Sequence, residues 1–440
     1  TWGLYPDVNG SSYQNTLEAT PGEANKFAGI PDVIAWPGSN EVRTFDTTPT
    51  FLEDSSGLDF ANGKLYAVDN GTATFWVMDV AKDGALTFSS GFEQGKRVCF
   101  QKDANNESAK GPDAEGITVD GSGMVYLASE RDNGNKGVNY DTILMVNPNA
   151  TGTRLVAQQE WDLTASLPQV SANMGIEAVE WVANASVAGK LVDQNTGVAF
   201  DATQYPNAVA GGVFFVALED NGHVYAYVLN SDGSVEQIAD IDSKLGGAMS
   251  LDYDTYENVL WVAADDGYGN QMAKITLNGT IEPGIVHVLP ASGVNASANN
   301  EGFAVASAEY TVNGQRPTYR FCDGVTSGAL TIGSLDCSYT APVDPNPGEP
   351  TDPDNPPVDP NPGDSAGDPT QPGGTVDKPS GSTDTPSGSS QDKPVSADKS
   401  SNLPQTGDSN MLGVWVALAV LFAGASCVVI VLIRRAKRMQ

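Results

Sequence analysis

Residues Asp113–Asn133 read DAEGITVDGSGMVYLASERDN, and the fold turns on this stretch. EGITVD alternates polar and apolar residues through Ile117 and Val119, the period of a half-buried strand. Asp-Gly-Ser-Gly at 120–123 supplies residues that tolerate a hairpin turn. MVYLAS then runs back, β-branched and aromatic, to Glu130. Antiparallel neighbours place the start of one strand beside the end of the other. Glu115 and Glu130 should therefore share one edge of a sheet.

The same design recurs. SSGLDFANGKLYAVDN starts near Ser56 and ends at Asp69. GIEAVEW starts at Glu177 and, after an insertion between Trp181 and Gly211, GVFFVALEDNG ends at Glu219 and Asp220. AMSLDYDTYENVLWVAADDG runs from Ser250 to Asp265 and Asp266. NEGFAVASAEYTVNGQRPTYRFCDG runs from Glu301 to Asp323. Further strand-like runs follow most copies: FWVMDV, TILMVN, VYAYVLN, MAKITLNG and ALTIGSL. Units of four short strands at a spacing of about 45–70 residues predict an all-β propeller. Its range is five to six four-stranded blades over residues 51–341, the sixth coming from residues 1–50 or from sequence upstream. In residues 1–50, IPDVIAWPG and EVRTFDT are plausible strands. EVRTFDT is expected to pair with the last blade and close the ring, because an open edge strand invites aggregation. The chain opens at Thr1 without Met, as after removal of a leader or in a piece of a longer protein.

Charge narrows the partners. The formal net charge is −32, from 55 acidic and 23 basic residues, and about −27 of it falls on residues 1–341. Such a surface repels nucleic acid and anionic lipid and suits cations or an extracellular setting.

Residues 342–402 are Pro, Asp, Gly, Ser and Thr with almost no large apolar side chain. They cannot bury enough surface to offset ordering entropy and read as a disordered stalk, about 190 Å long if fully extended. Residues 403–440 hold Leu403-Pro404-Gln405-Thr406-Gly407, an apolar run over 411–433 that is long enough for a transmembrane helix, and the basic cluster Arg434-Arg435-Ala436-Lys437-Arg438. In that order the three parts resemble the Gram-positive cell-wall sorting signal. The resemblance implies that a sortase cuts the Thr406–Gly407 bond and joins Thr406 to peptidoglycan, with the membrane engaged only before sorting. The protein is then expected outside the cell, covalently attached to the wall. Cys99, Cys322 and Cys337 precede the stalk, and Cys427 lies in the apolar run. For the outer three, a local Cys322–Cys337 disulfide and three buried thiols are both open readings.

Before the stalk there is no G-x-S-x-G elbow; the whole sequence has no CxxC or HExxH pattern and only His223 and His287. Each histidine reads as structural, which argues against a Ser-His-Asp triad and a zinc site. The remaining signal is acidic. A propeller gathers its strand starts (Ser56, Glu115, Glu177, Ser250, Glu301) and second-strand ends (Asp69, Glu130, Glu219, Asp265, Asp323) around one mouth of the central channel. Crowded carboxylates repel unless protonated or bound to a cation, and oxygen-only ligands suit Ca²⁺. The metal candidates are Glu115, Glu130, Glu177, Glu219, Glu301 and Asp265. Glu115, Glu177 and Glu301 are also the catalytic candidates. Asp69, Asp265 and Asp323 equally fit plain turn roles.

SGLDFANGKLYAVDNG, DAEGITVDGSGMVYLASERD, GIEAVEW with VFFVALEDNG, and NEGFAV resemble the "esterase-like activity of phytase" family over roughly residues 50–340. The resemblance implies a phytase-like propeller hydrolysing phosphoesters or esters, with calcium at a central site faced by Glu115, Glu177 and Glu301, and with Glu130 and Glu219 as neighbours. Against it, bases for holding phosphate are few: Arg131, Lys136, Lys274 and Arg320. Two functions stay open on these residues. One is a wall-displayed module that binds a glycan, a protein or a small molecule; the other is a calcium-dependent hydrolase.

Overall fold

The structure, a computed structural model, describes residues 31–45 and 50–340, together with the backbone pairing of Tyr5–Pro6 and Ser12–Tyr13. The stalk, the sorting motif Leu403–Gly407 and the 411–433 apolar run lie outside the described residues. Among the described residues, no helix is long and apolar enough to cross a membrane.

Five antiparallel sheets form five blades. Blade I holds Ser55–Ala61, Lys64–Asp69, Thr74–Val80 and Lys96–Cys99, joined by Leu86–Phe88 and by Arg154–Val156. Blade II holds Pro112–Val119, Val125–Asp132, Asn139–Val146 and Gln159–Asp162. Blade III holds Ile176–Ala183, Gly212–Leu218, His223–Leu229 and Val235–Asp242. Blade IV holds Ser250–Asp254, Val259–Ala263, Met272–Thr276 and Gly284–Val288. Blade V holds Asn300–Val305, Gln315–Cys322 and Leu330–Asp336. The first strand of each blade lies innermost, and each packs on the first strands of both neighbours, I against V included.

Among the described residues, those before blade I form no sixth blade. Asp32–Ile34 adds in parallel to the outer strand of blade IV. Arg43–Thr44, from the EVRTFDT segment, pairs antiparallel with Leu330–Asp336 and supplies the fourth strand of blade V. Phe45 N–H continues that ladder to Leu330 O at 2.9 Å. The ring is thus closed by pairing the start of the described chain with its end, which removes an exposed edge.

The core lies between blades rather than at the axis. One apolar cluster fills each seam: Val68, Phe75 and Ile117 between I and II; Tyr126, Trp161 and Phe214 between II and III; Phe215, Leu251 and Val262 between III and IV; Trp36, Trp261 and Phe303 between IV and V; Leu58, Trp76 and Tyr319 between V and I. Full burial of each such side chain is worth about 1.5–3 kcal/mol, so the seams can carry polar groups along the axis.

Local chemistry sets the turns. Asn62 and Gly63 both take positive φ (53° and 75°) between the first two strands of blade I, the geometry of a two-residue hairpin. In blade II, Asp120 Oδ1 accepts from Ser122 N–H at 2.8 Å and Met124 N–H at 3.0 Å, which organises the 120–123 turn. The insertion of blade III is built from the short helix Asn184–Val187 and the pair Val192–Asp193 with Val198–Ala199. It leaves Ala183 and returns at Gly212, the end of the hairpin away from Glu177.

The expected Cys322–Cys337 disulfide is not formed. Gln315↔Asp336 and Phe321↔Leu330 are the ends of one ladder, and the two cysteines follow opposite ends of it. Cys99, Cys322 and Cys337 are all free and buried.

Candidate functional site

The innermost strands do not run evenly to the mouth of the channel. In blade II, Ala114 pairs with Ser129 and Gly116 with Ala128, which leaves Glu115 as an extra residue in a β-bulge. Blade III repeats this at Glu177, between the Ile176↔Leu218 and Ala178↔Ala217 pairs. Blade V repeats it at Glu301, between Asn300↔Cys322 and Gly302↔Phe321. Blade I has a register shift around Ser56 and Gly57, whereas blade IV runs regularly through Ser250. A bulge breaks the two-residue alternation and re-aims a side chain. The break is visible in the packing: Ala114 and Ile117, three residues apart, share one core cluster. The glutamate between them is thereby released from the apolar seam.

The strands approach closely here. A Cβ on Gly116 would lie 2.6 Å from Val179 N, and one on Gly302 would lie 2.4 Å from Ser56 O. Glycine after the bulged acid is therefore a packing requirement in blades II and V.

Three buried acids form the tightest group. Asp113, Glu115 and Glu130 each bring a carboxylate oxygen to within 4.8 Å of the others. Asn70 Nδ2 donates to Glu115 Oε1 at 3.2 Å and to Oε2 at 3.0 Å. Ser56 Oγ donates to Glu115 O at 2.6 Å and lies 3.1 Å from Oε2. Gly175 N–H donates to Glu130 Oε2 at 3.2 Å. Arg131 places Nε 2.5 Å from Asp113 Oδ2 and Nη1 3.2 Å from Glu130 Oε1.

The other glutamates feel the same field. Burial, then Asp113, Glu130 and Glu301, push Glu115 well above the usual carboxylate range. Burial, then Glu115, Glu130, Glu219 and Glu301, do the same to Glu177. Glu301 is raised by burial and by Asp323, Glu219 and Asp265. Burial raises Glu130 to about 8, against the pull of Arg131. Burial and Asp265 raise Glu219 to about 7. On the Glu301 side, Glu301 Oε2, Asp265 Oδ1 and Asn299 Oδ1 are buried oxygens without a hydrogen-bond donor.

The structure thus brings Glu115, Glu130, Glu177, Glu219 and Glu301 into one electrostatic neighbourhood. Asp265 borders it beside Glu219 and Glu301. Asp69 serves its turn, accepting from Thr72 N–H at 2.9 Å and Thr72 Oγ1 at 2.6 Å. Asp323 sits beside Asn299, whose Nδ2 donates to it at 3.3 Å. Ser250 Oγ accepts from Phe303 N–H at 2.7 Å and ties blade IV to blade V. Asp113 and Asn70 escape sequence reasoning, because both sit at strand ends where acids and amides usually serve turns. Asp113's place two residues before the bulged Glu115 was the available signal.

The bases divide. Arg131 is inside the site. Lys136 reaches the neighbourhood only through its influence on Asp54. Lys274 pairs with Glu257, and Arg320 is buried between Trp36 and Phe303. Neither histidine serves the site: His223 Nδ1 contacts Asp240 Oδ1 at 2.5 Å, and buried His287 contacts Ser243 O through Nε2 at 3.1 Å. An all-oxygen donor set of buried carboxylates, with buried oxygens lacking donors beside it, fits a hard cation such as Ca²⁺.

Residues 51–242 match the family model described as "Phytase-like: Esterase-like activity of phytase". The phytase-like match spans blades I to III and includes Asp113, Glu115, Glu130, Glu177 and Glu219. Curated proteins give no match. Among solved structures, a streptogramin B lyase is similar at 11% identity, over 70% of this chain and 90% of that one, with a TM-score of 0.33. The glutaminyl cyclase of Myxococcus xanthus is similar at 11% identity, over 69% and 97%, with a TM-score of 0.35. Virginiamycin B lyase from Staphylococcus aureus is similar at 12% identity, over 68% and 90%, with a TM-score of 0.31. At these values the likenesses carry no functional argument.

Proposed function

We propose that the acidic mouth is a calcium centre, and that the protein is a wall-anchored extracellular propeller which uses this centre to bind an anionic ligand. The observation that carries the reading is the buried Asp113–Glu115–Glu130 group, with its oxygens within 4.8 Å of one another. Bound there, Ca²⁺ would neutralise the carboxylates and present positive charge to a ligand. Asp113, Glu115 and Glu130 would hold it, Asn70 would orient Glu115, and Arg131, paired with Asp113 and Glu130, would relieve their repulsion as well as face an incoming anion. The sorting signal at Leu403–Gly407, read from the sequence, supports attachment to peptidoglycan by a sortase, with the 342–402 stalk as spacer. A Thr406→Ala chain should remain in the membrane fraction, whereas the unchanged chain is released only by wall hydrolases.

A second reading is favoured by the phytase-like match: a calcium-dependent hydrolase of phosphoesters or esters. Both histidines pair elsewhere, and Ser56 Oγ at the mouth is engaged by the Glu115 main-chain oxygen at 2.6 Å, which favours binding. Assay of the full chain against phosphomonoesters and aryl esters, with calcium and with EDTA, decides between them. Calcium-dependent turnover lost in Glu115→Gln and Glu177→Gln establishes the hydrolase. Calcium-dependent retention of an acidic glycan or phosphorylated ligand without turnover establishes the binding module.

A further inference from the structure

Arg320 presents an unbalanced charge in the seam between blades IV and V. It is 8% exposed. Among the described residues its guanidinium meets no carboxylate. Its polar contact there is Nη2 to Met272 Sδ at 3.3 Å, and the rings of Trp36 and Phe303 lie 5.1 and 5.0 Å from its Cζ. A guanidinium carries five N–H donors, and a buried charge without a counter-charge is expensive. Ring faces offset part of that cost. Burial alone pulls the pKa down to about 10, so the group stays charged at neutral pH.

A cavity of about 10 Å³ opens beside it, lined by Trp36, Thr318, Arg320, Thr331 and Gly333, with Val42 among its apolar walls. Arg320 stands opposite Thr331, and Thr318 opposite Gly333, in the same ladder. The two threonines can therefore offer hydroxyl donors on the guanidinium's side of the sheet. Gly333 keeps the space open, since a Cβ there would come to 3.0 Å from Thr318 Oγ1. The space is at the lower limit for one water and opens to solvent, so an anion there would sit at its opening, and its lining lacks an acid.

We propose that this cavity is a small-anion site, with chloride as its ion, held by Arg320 and the hydroxyls of Thr318 and Thr331. Arg320 is on the strand that ends at Cys322, beside the mouth, but burial rather than any mouth acid shifts it, and the site does not depend on calcium. Trp36 and Val42 come from the ring-closing segment, so a bound anion would strengthen closure of the propeller.

The test is thermal unfolding of the full chain in EDTA, in sodium chloride and in sodium gluconate at equal ionic strength. The melting temperature should be higher in chloride by about 2 °C or more, with a saturating dependence on concentration. Arg320→Met should remove the difference. Crystals grown in bromide should show an anomalous peak beside the guanidinium, a readout that stands even if the variant fails to fold. Equal melting in both salts, a chloride increment that survives in Arg320→Met, or no bromide at Arg320 would each overturn the proposal.

Discussion

Glu115 and Glu177 occupy the same bulged position in adjacent innermost strands, and after burial Glu115 is the largest influence raising the pKa of Glu177. Two acids far apart in the chain are thus held in mutual repulsion at the axis. The fold tolerates this because the apolar seams between blades stabilise it. Relief comes from a proton or from a cation.

The repulsion gives a mutational prediction whose sign depends on calcium. In EDTA, Glu115→Gln should melt about 2–4 °C higher than the unchanged chain, because a neutral amide replaces a crowded carboxylate. In millimolar calcium the order should reverse. Differential scanning calorimetry in the two buffers reads both, and a variant that is less stable in EDTA would contradict the prediction.

The same crowding sets a pH dependence. Glu130 and Glu219 titrate near 8 and 7 in the fold, above their ordinary range, chiefly through burial. Asp323 is likewise raised, to about 6. A carboxyl whose folded pKa is raised stabilises the fold fully below its unfolded pKa and loses that contribution as pH rises through the folded value. Without calcium, stability to urea should therefore fall between about pH 4 and pH 8, with Arg131 as the opposing cation in the group. Saturating calcium should flatten the curve.

The hairpins of blades I, II, IV and V were legible in the sequence because each rests on alternation and turn residues within about twenty positions, whereas the insertion separates the two strands of blade III. EVRTFDT could be placed because an open edge strand on the last blade would invite aggregation. Glu115, Glu177 and Glu301 stood out as acids at matching strand starts. The bulges that aim them were not legible, since an extra residue in one strand shows only against the register of its partner. Asp113 and Asn70 were hidden because both sit at strand ends where acids and amides usually serve turns, and Asn70 reaches Glu115 from the neighbouring blade. Of the two open readings of the outer cysteines, the buried thiols hold, because the residues between Cys322 and Cys337 span the full length of a ladder.

At the other end of the blade IV–V seam, Arg316 Nη1 donates to Asp254 Oδ1 at 3.0 Å, Nη2 pairs with Oδ2, and both side chains are essentially inaccessible. Burial lowers the guanidinium pKa, but pairing with Asp254 outweighs it. Asp254→Asn removes the buried partner, leaves Arg316 with the more exposed Glu257 at 3.9 Å, and should cost about 3 kcal/mol in urea unfolding. A loss under 1 kcal/mol would show the pair to be dispensable.

Trp36 fastens the ring-closing segment. Its Nε1 donates to Ser334 O at 2.9 Å, and its ring packs on Trp261 and Phe303 at 5.9 and 6.4 Å. Trp36→Ala should cost about 3–5 kcal/mol. It should also expose the Leu330–Asp336 edge and raise light scattering on mild heating. Unchanged scattering would place the closing interaction elsewhere.

The central claim is most directly tested by isothermal titration of the calcium-free full chain with calcium at pH 7.5, beside an Asp113→Asn, Glu130→Gln double variant. The account predicts saturable binding to the unchanged chain, proton release on binding as the raised carboxyls ionise, and at least tenfold weaker binding in the variant. No heat of binding up to millimolar calcium, or equal affinity in both proteins, would contradict it.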